Sequence, residues 1–420
     1  MNVTFCAYDR PNYIGGPTTA LRRLLPALPQ FGCEPRVLFF TDGKPENGAT
    51  ARALRRHGIG YLQMRQRAFT ETHVRWILER LGEDPPDVFV PDYVVQAYYA
   101  GRWLRAAGIP TVAVLHGDDR YYDALLSEFV FGDPAYQVAG LVCVSQALER
   151  NLRAKHPQLP ATTLVRHIPH GVPVPQQVAR SPDGRLKLAY AGRLVEINKQ
   201  VSEMTRALCR VAREIPGTEA VLYGDGPSRP ALQQLLRTEG KGLPIRLAGN
   251  VDNDQIQSHL LERHVIVLLS DSEGLPIALM EAMACGVVPI CLRVPSGVLE
   301  LVEDGVTGLL VNDRGDDFVA AVRRLRDEPG LWERLSRAAR AKIEAEYSQE
   351  QSAARWSAFF EELRRNAGQR RPIEIPSRFD LPPVHPNLAH VDERKRPLPE
   401  QMLRWLRRQA GYIRRWWRGG

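Results

Sequence analysis

Glu273 and Glu281 are the side chains whose type and spacing most strongly indicate chemistry in this 420-residue chain. Glu273 falls on an acidic, glycine-containing turn and Glu281, eight positions on, falls on a predicted helix. The start of a helix exposes unpaired N–H groups and a positive dipole end, which suits a phosphate group. Two carboxylates there would repel phosphate, so they are better placed to accept hydrogen bonds from hydroxyl groups on either side of it. A nucleotide-sugar offers that pattern, and two solvated surface charges are the simpler alternative.

Two apolar, β-branched runs flank these glutamates, at residues 265–269 and 287–291, and both have the composition of strands buried on both faces. Between the runs, Pro276 suits the first turn of a helix, where its missing N–H costs nothing. Gly286 suits the position after the last helical residue. The unit is therefore strand, turn, helix, strand. The same alternation recurs along two similar halves of the chain and predicts parallel, doubly wound sheets.

The motif Ser-Asp-Ser-Glu-Gly-Leu-Pro followed by Glu-Ala-Met-Ala-Cys-Gly resembles the signature of the retaining glycosyltransferases of family 4. This resemblance implies the GT-B fold, an α/β architecture of two Rossmann-like domains facing a cleft, here with C-terminal helices and a basic tail. It implies that Glu281 accepts hydrogen bonds from the ribose hydroxyls of the donor and that Glu273 accepts them from the donor sugar. It also places three further residues in the donor site, namely Gly274, Leu275 and Pro276.

Arg193 and Lys199 are two cations at a predicted strand-to-helix junction, where residues 192–199 are expected to open a helix. Taken alone, they could be ordinary surface charges. A Gly-Arg-Leu-Val sequence with a lysine a few residues on also resembles the family, in which the pair neutralises the donor diphosphate. Arginine can bind two phosphate oxygens as a fork, and lysine supplies a point charge. The resemblance thus makes both residues catalytic candidates beside Glu273.

His116 is the candidate site residue of the first half, because it follows an apolar run at residues 111–115 and so stands at the carboxyl end of a predicted strand. Open α/β sheets place their sites at that end. A single histidine there is more often structural, but the resemblance implies that it faces the donor sugar. Gly15 and Gly16 follow the first strand and either let backbone approach a ligand or form a tight turn. Val251, in the loop 248–251, is implied to lie beside the nucleotide base.

The chain divides by composition into four segments. Residues 1–175 form a predicted acceptor-side Rossmann-like domain, and a proline-rich stretch then leads into a nucleotide-sugar-binding domain at residues 185–345. A predicted crossover helix at residues 346–365 carries an apolar face that can anchor on the first domain. Residues 366–420 contain many prolines and then a basic tail, so we expect an extended or disordered spacer that leaves the two domains mobile relative to the tail.

The composition, with 44% apolar and 25% charged residues, is ordinary for a globular protein. The six cysteines are scattered without metal-ligand spacing, which favours buried, reduced thiols. The first residues lack the basic start of a signal peptide, and no apolar run is long enough to span a membrane. We therefore expect a cytoplasmic protein.

The formal net charge of +8 is concentrated in the last twenty residues. They contain six arginines, the three tryptophans Trp405, Trp416 and Trp417, and no acidic residue. Tryptophan mixed with arginine is typical of a helix at an anionic membrane surface, on the inner face of the plasma membrane. A solvated tail and a single-stranded nucleic-acid site are the alternatives. The nearly neutral remainder of the chain argues against nucleic acid as a partner.

The resemblance implies transfer of a sugar from a nucleotide diphosphate-sugar to a hydroxyl of a glycan or lipid-linked acceptor, with retention of configuration, in bacterial cell-surface polysaccharide or glycolipid synthesis. No cofactor and no metal are expected, because cations and a helix start can stabilise the leaving diphosphate. Asp118 and Asp119 are more typical of a polar loop than of a metal site. A GT-B epimerase or phosphorylase and a non-catalytic nucleotide-sugar-binding scaffold are the rival functions.

Overall fold

The computed structural model describes residues 1–10, 15–42, 48–392 and 394. The first half of the chain forms a seven-stranded parallel sheet in the order β3-β2-β1-β4-β5-β6-β7. Its strands are Asn2–Asp9 (β1), Glu34–Thr41 (β2), Gly60–Arg65 (β3), Val88–Asp92 (β4), Thr111–Leu115 (β5), Gly140–Cys143 (β6) and Leu164–His167 (β7). The second half forms a six-stranded parallel sheet in the order β10-β9-β8-β11-β12-β13. Its strands are Leu186–Ala191 (β8), Thr218–Tyr223 (β9), Ile245–Gly249 (β10), Val265–Leu268 (β11), Val288–Leu292 (β12) and Leu309–Val311 (β13).

Helices connect the strands and cover both sheets. They are Gly16–Leu24 (α1), Ala49–Arg56 (α2), Thr70–Glu83 (α3), Val95–Ala106 (α4), Arg120–Phe129 (α5), Gln146–Lys155 (α6), Val201–Glu214 (α7), Arg229–Thr238 (α8), Ile256–Leu260 (α9), Ile277–Ala284 (α10), Val298–Leu301 (α11), Asp316–Asp327 (α12), Leu331–Glu346 (α13) and Gln349–Asn366 (α14). Because helices lie on both faces, the central strands β4, β5, β11 and β12 are buried along their whole length. The prediction of two parallel, doubly wound sheets is confirmed.

The strand order reverses beside β1 in the first sheet and beside β8 in the second. In the first sheet β1 lies between β2 and β4, and in the second sheet β8 lies between β9 and β11. Loops at the carboxyl ends of strands diverge at such a point and leave a crevice between them. The predicted site residues follow β1, β5, β8, β10 and β11, so the fold brings them to these two crevices.

The helix α14 returns from the second sheet to the first. Its aromatic face packs on Phe5 of β1, with the rings of Trp356 and Phe360 edge-on at 6.4 and 6.3 Å between centroids. The hydroxyl of Ser357 also donates a hydrogen bond to the Phe31 carbonyl at 2.8 Å. The end of the chain's second half is therefore fastened to its first half.

Residues 367–392 continue from α14 as a segment that we call the strap. The strap contains one short 3-10 turn, Pro386–Leu388, and otherwise no regular structure, so it is extended as the prolines predicted. It packs on the first domain throughout: Phe379 lies edge-on to Trp103 at 5.0 Å, Leu388 is fully buried, and Gln96 donates to the Val391 carbonyl at 2.6 Å. The prediction of a mobile spacer over these residues is wrong, and the predicted membrane tail lies outside the described residues.

The strap ends in a buried ion cluster around Asp392. Its carboxylate accepts hydrogen bonds from the hydroxyls of Thr70 (2.5 Å) and Tyr99 (3.1 Å) and pairs with Arg394 at 3.1 Å. Because a buried carboxylate is stable only with such partners, this cluster fixes the end of the strap in one place.

All six cysteines are unpaired and buried, as predicted. Burial raises the pKa of the Cys143 and Cys285 thiols to about 12, so they stay protonated at neutral pH. None of the helices in the described part of the chain combines the length and the apolarity needed to cross a membrane.

Candidate active site

The two crevices face each other, and the backbone of the loop after β5 packs closely on that of the loop after β11. A Cβ atom added to Gly274 would lie 2.1 Å from the carbonyl oxygen of His116, and one added to Gly297 would lie 2.0 Å from the Gly274 carbonyl. Only glycine allows these backbones to pack so closely. The candidate donor loop is therefore held between the first domain and the start of α11.

Lys199 and Glu273, which the sequence predicted as site residues, form an ion pair with 2.5 Å between Nζ and Oε1. Both side chains are mostly buried. Lys199 lies on the loop between β8 and α7, so the prediction that residues 192–199 open a helix is wrong: the helix begins at Val201. Asn198 and Gln200, on either side of Lys199, have left-handed backbone angles (φ 64° and 47°), which no continuous α-helix could contain.

Two contacts fasten this loop to the one that carries Glu273. The Asp271 N–H donates to the Asn198 carbonyl at 2.7 Å, and the Gln200 side chain donates to the Asp271 carboxylate at 2.8 Å. Left-handed non-glycine residues cost energy and persist where their surroundings fix them, often at functional sites. The ammonium of Lys199 is thus positioned against Glu273 by a strained backbone that hydrogen bonds to Asp271 hold in place.

Arg193 lies on the same loop and is exposed. Its carbonyl accepts a hydrogen bond from the Tyr190 hydroxyl at 2.9 Å, which fixes its backbone. The guanidinium forms no ion pair with any residue in the described ranges, in contrast to Lys199. It is the cation of this loop that a ligand can reach without displacing an acidic partner.

The helix α10 begins directly after Gly274, Leu275 and Pro276. Pro276 is the residue before the first helical position and not within the first turn, one residue earlier than predicted. Gly286 has a φ of 75° just after the C-terminal residue Cys285, which confirms the predicted helix end. The N–H groups of the first helical turn have no partner within the helix, and the loop with Glu273 leads directly into this end.

Glu281 lies one turn from the end of α10 and is buried, with 5% of its side chain exposed. Its Oε1 accepts a hydrogen bond from Nη2 of Arg23, on α1 of the first domain, at 2.9 Å. Burial raises the pKa of this carboxyl, and the nearby charge of Arg23 opposes that rise. Glu281, the residue predicted to accept hydrogen bonds from the donor ribose, is therefore bound across the cleft by Arg23, which the sequence did not indicate.

Further polar contacts join α1 and α2 to residues 252–254, the loop that follows Val251. Arg22 binds the carboxylates of Asp252 (3.0 Å) and Asp254 (3.3 Å), and Arg56 binds Asp254 at 2.6 Å. Val251 itself is half-buried and packs against the core. The loop predicted to lie beside the base is thus also part of the contact between the domains.

His116 follows β5 as predicted, and both of its ring nitrogens face first-domain residues. Its Nε2 lies 2.7 Å from Oδ1 of Asp92, and its Nδ1 lies 3.5 Å from Nε2 of His170, whose ring stacks on it. Burial and the neighbouring His116 lower the pKa of His170, which stays neutral. The structure therefore presents His116 to the cleft through its carbonyl, and the predicted contact with a donor sugar stays a prediction.

Gly15 and Gly16 lie at the start of α1, and a Cβ on Gly16 would meet no atom of the described residues within 4 Å. Gly15 lines a cavity with Thr18, Tyr93 and Tyr122. The Tyr122 ring is also 6.3 Å from the His116 ring. The role of Gly15 and Gly16 in the close approach of a ligand stays a prediction.

Asp92, His170 and Arg23 are the members of this site that sequence reasoning missed. Asp92 ends a strand that was predicted, so the rule that selected His116 would have selected it as well. Its backbone is left-handed (φ 46°) and its Oδ2 is buried without a hydrogen-bond partner among the described residues. Arg23 and His170 carry no local sequence signal, because only the packing of distant segments gives them their partners.

Asp118 and Asp119 are used within the first domain. Asp118 pairs with Lys155 at 2.6 Å, and Asp119 accepts hydrogen bonds from two N–H groups at the start of α5. Across the described ranges, no group of three or more His, Cys, Asp and Glu side chains is arranged to hold a metal ion.

Two family profiles match adjacent parts of the chain. The profile described as Glycosyltransferase Family 4 matches residues 14–175, and the profile described as Glycosyl transferases group 1 matches residues 175–342. Among curated proteins, the alpha-D-kanosaminyltransferase of Streptomyces kanamyceticus is 30% identical over 182 residues, which cover 43% of this chain and 47% of that protein. The glycogen synthase of Mycobacterium tuberculosis is 26% identical over 309 residues, which cover 70% of this chain and 73% of that protein. The chain thus spans about half the length of the first of these relatives.

Among solved structures, HepE of Anabaena in complex with UDP-glucose has a TM-score of 0.65 at 19% identity, covering 86% of this chain and 99% of that one. At this identity the likeness concerns the fold alone. Two Rossmann-like domains that face each other across a cleft, together with this likeness, define a protein of the GT-B fold. With both profiles matched in succession, the chain belongs to the family 4-like glycosyltransferases.

Proposed function

We propose that this glycosyltransferase moves a sugar from a nucleotide diphosphate-sugar to an acceptor hydroxyl with retention of the anomeric configuration. One observation carries the proposal: Lys199 pairs with Glu273 on the loop that leads directly into α10, and Arg193, on the same loop as Lys199, is exposed with no ion pair among the described residues. Cations and helix N–H groups attract a diphosphate, and the carboxylate accepts from sugar hydroxyls. HepE, which binds UDP-glucose, supports a UDP-sugar as the first donor to test.

In the proposed reaction the bond between the anomeric carbon and the diphosphate oxygen breaks. The acceptor oxygen forms its bond to that carbon on the same face, and the acceptor proton passes to the leaving phosphate. Negative charge grows on the diphosphate, where Arg193, Lys199 and the start of α10 stabilise it without a metal ion. Glu273 holds the sugar, and Glu281 accepts from the ribose.

The proposal includes the setting of the reaction. Six arginines and three tryptophans at residues 401–420 would bind an anionic membrane surface and bring the cleft close to a lipid-linked or glycan acceptor. The chain would then act at the cytoplasmic face of the membrane, in bacterial cell-surface polysaccharide or glycolipid synthesis. This part of the proposal rests on the sequence and on the chemistry of arginine beside anionic lipid.

The decisive experiment incubates the full-length protein with UDP-, GDP- and ADP-sugars and measures release of the free nucleoside diphosphate. We expect release from one nucleotide class, persisting in EDTA, and a product with the donor's anomeric configuration by NMR. Loss of activity in EDTA that Mg²⁺ or Mn²⁺ restores would contradict the metal-free reaction. Epimerised donor without nucleotide release would indicate the epimerase, and binding without any turnover would indicate the scaffold.

A further inference from the structure

Arg23 and Glu281 are joined across the cleft, although they are 258 positions apart in the sequence. The Arg23 Nη2 donates both to Oε1 of Glu281 (2.9 Å) and to the carbonyl of Asn253 (2.6 Å). Arg23 is itself only 12% exposed. A second contact positions the loop, because the Asn253 amide donates to the Thr19 hydroxyl at 2.8 Å. The guanidinium is thus fixed from both sides and is not a mobile surface group.

Glu281 uses only one of its two oxygens in this contact. Oε1 binds Arg23, whereas Oε2 accepts no hydrogen bond from a side chain or N–H group of the described residues. A carboxylate has about four lone-pair positions, so the free oxygen can accept from a ligand while the bound one keeps its partner. The contact therefore fits a carboxylate held ready for a ligand and does not block it.

We propose that Arg23 is a positioning residue for the donor site: from the opposite domain it orients Glu281 and keeps it charged, so that the free oxygen accepts a ribose hydroxyl. The inference rests on the ribose role of Glu281 in the proposed function. Arg23 and Glu281 belong to different domains, so the contact exists only when the domains are together. Closure of the domains then also places Glu281 in the orientation that binds ribose.

The charges around Glu281 support this assignment. Arg23 and the more distant Arg22, both on α1, are the cations that act on its carboxylate. On its own helix Cys285 is a neutral thiol, and Arg340 of α13 donates to the Ala284 carbonyl at 2.9 Å, facing Cys285. A buried carboxylate that loses its partner takes up a proton. Removal of Arg23 should therefore raise the pKa of Glu281 further and favour its neutral form.

The test measures the affinity of the full-length chain for UDP by calorimetry from about pH 6.5 to pH 9, around the range in which a raised carboxyl pKa would titrate. GDP and ADP are titrated in parallel, because all three share the ribose. We expect Arg23→Met to bind about tenfold or more weakly at the lower end, the usual effect of losing a charged hydrogen bond. The loss should shrink as the pH rises and Glu281 ionises. Dividing the dissociation constant of the variant by that of the wild type at each pH cancels the titration of the nucleotide itself.

Arg23→Lys and Arg56→Met are the matched variants. Lysine supplies the positive charge but not the planar set of donors of a guanidinium. Arg23→Lys should therefore restore a UDP affinity that does not change with pH, at part of the wild-type strength. Arg56→Met removes a contact between the same domains, with Asp254, that does not touch Glu281. It should change the affinity equally at every pH. Should Arg23→Met follow Arg56→Met across the whole range, Arg23 would be only structural and the inference would be overturned.

Glu281→Gln separates this inference from the proposed function. If Glu281 binds ribose, this variant weakens UDP binding, and adding Arg23→Met to it produces no pH-dependent loss. If Glu281→Gln binds UDP as well as the wild type does, the ribose role itself is wrong. If it binds weakly while Arg23→Met gives a flat profile, the ribose role stands and the role of Arg23 is refuted. Melting temperatures of all variants identify any that fail to fold, and Arg23→Lys then decides.

Discussion

Lys199 and Arg193 lie on one loop but differ in what surrounds them. The ammonium of Lys199 is neutralised by Glu273, whereas the guanidinium of Arg193 is exposed and has no ion pair among the described residues. Under the proposed function, an incoming diphosphate would reach Arg193 directly but would have to share Lys199 with a carboxylate. At the scale of single residues, Arg193 is therefore the more accessible cation for a leaving group.

Arg193→Ala should lower kcat by about 10²–10³-fold, the usual loss when one preorganised donor to a developing charge is removed. Its stability should change by no more than about 0.5 kcal/mol, because the side chain is exposed. Initial rates with the donor found in the nucleotide screen measure the change in kcat, and urea unfolding measures the change in stability. Arg378→Ala, an exposed arginine of the strap, is the control. Equal rate losses in the two variants would contradict the role of Arg193.

The residues of this site were predictable to different degrees. Glu273 and Lys199 were named from spacing and from the family motif, and the structure pairs them. Asp92 ends β4, and it belongs to no motif that would distinguish it from an ordinary polar residue at the end of a strand. Arg23 had no signal at all, since its role depends on a partner in the other domain. Local patterns identify residues that act from one loop, but not contacts that packing creates.

At the scale of elements, the strand–turn–helix–strand unit around Glu273 was predicted within one residue, because Pro276 and Gly286 have few alternative positions. The loop after β8 was mistaken for the start of a helix. A helix was expected directly after the strand, but contacts of Asp271 with Asn198 and Gln200 hold two residues in left-handed geometry. Long-range contacts overrode the local preference at the position where Lys199 has to face Glu273.

His264, which leads into β11, makes the second domain sensitive to acid. It is buried beside Trp332, and its Nδ1 accepts a hydrogen bond from the Lys187 N–H at 3.1 Å. Burial, and then the charge of Lys187, lowers its pKa to about 4. The unfolded chain titrates this group near pH 6.5, so the folded state holds fewer protons below that. Its contribution to stability is present above about pH 6.5 and is lost as the pH falls toward about 4.

We therefore expect His264→Gln to reduce the loss of unfolding free energy between pH 7 and pH 5. Glutamine can accept the same hydrogen bond and does not titrate. Urea unfolding at the two pH values measures the effect, and His57→Gln, an exposed histidine, is the control. An equal pH dependence in the wild type and in both variants would contradict a role for His264.

At the scale of the whole molecule, the strap changes how the tail is attached. The prolines of residues 367–392 indicated the lack of regular structure correctly, but such composition does not exclude packing. Its partners, such as Trp103, Tyr99 and Gln96, lie far away in sequence, so the docking could not be predicted. The two sheets were predictable, because every strand of a doubly wound fold repeats the same apolar run and connection.

Truncation after Arg394 should leave the melting temperature and the nucleotide affinity unchanged and should abolish pelleting with phosphatidylserine liposomes. Each arginine near an anionic surface contributes about 1 kcal/mol, so six bind reversibly and release in high salt. Truncation after Asn366 should also lower the melting temperature, because it removes Leu388 and Asp392. Liposome binding that survives the shorter deletion would place the membrane contact elsewhere or show that the tail is not an anchor.

The chain crosses between its domains twice, and the two crossings touch. The Val172 N–H donates to the Tyr347 carbonyl and the Gln349 N–H donates to the Val172 carbonyl, both at 3.0 Å. The second half is thus an insertion whose entry and exit lie at one point, while the strap keeps the described end of the chain on the first half. Opening of the cleft would be a rotation about this pivot, during which Arg22 leaves Asp252 and Arg23 leaves Glu281. If the proposed membrane contact of the tail holds, it would keep the first half of the chain stationary and leave the second half free to rotate.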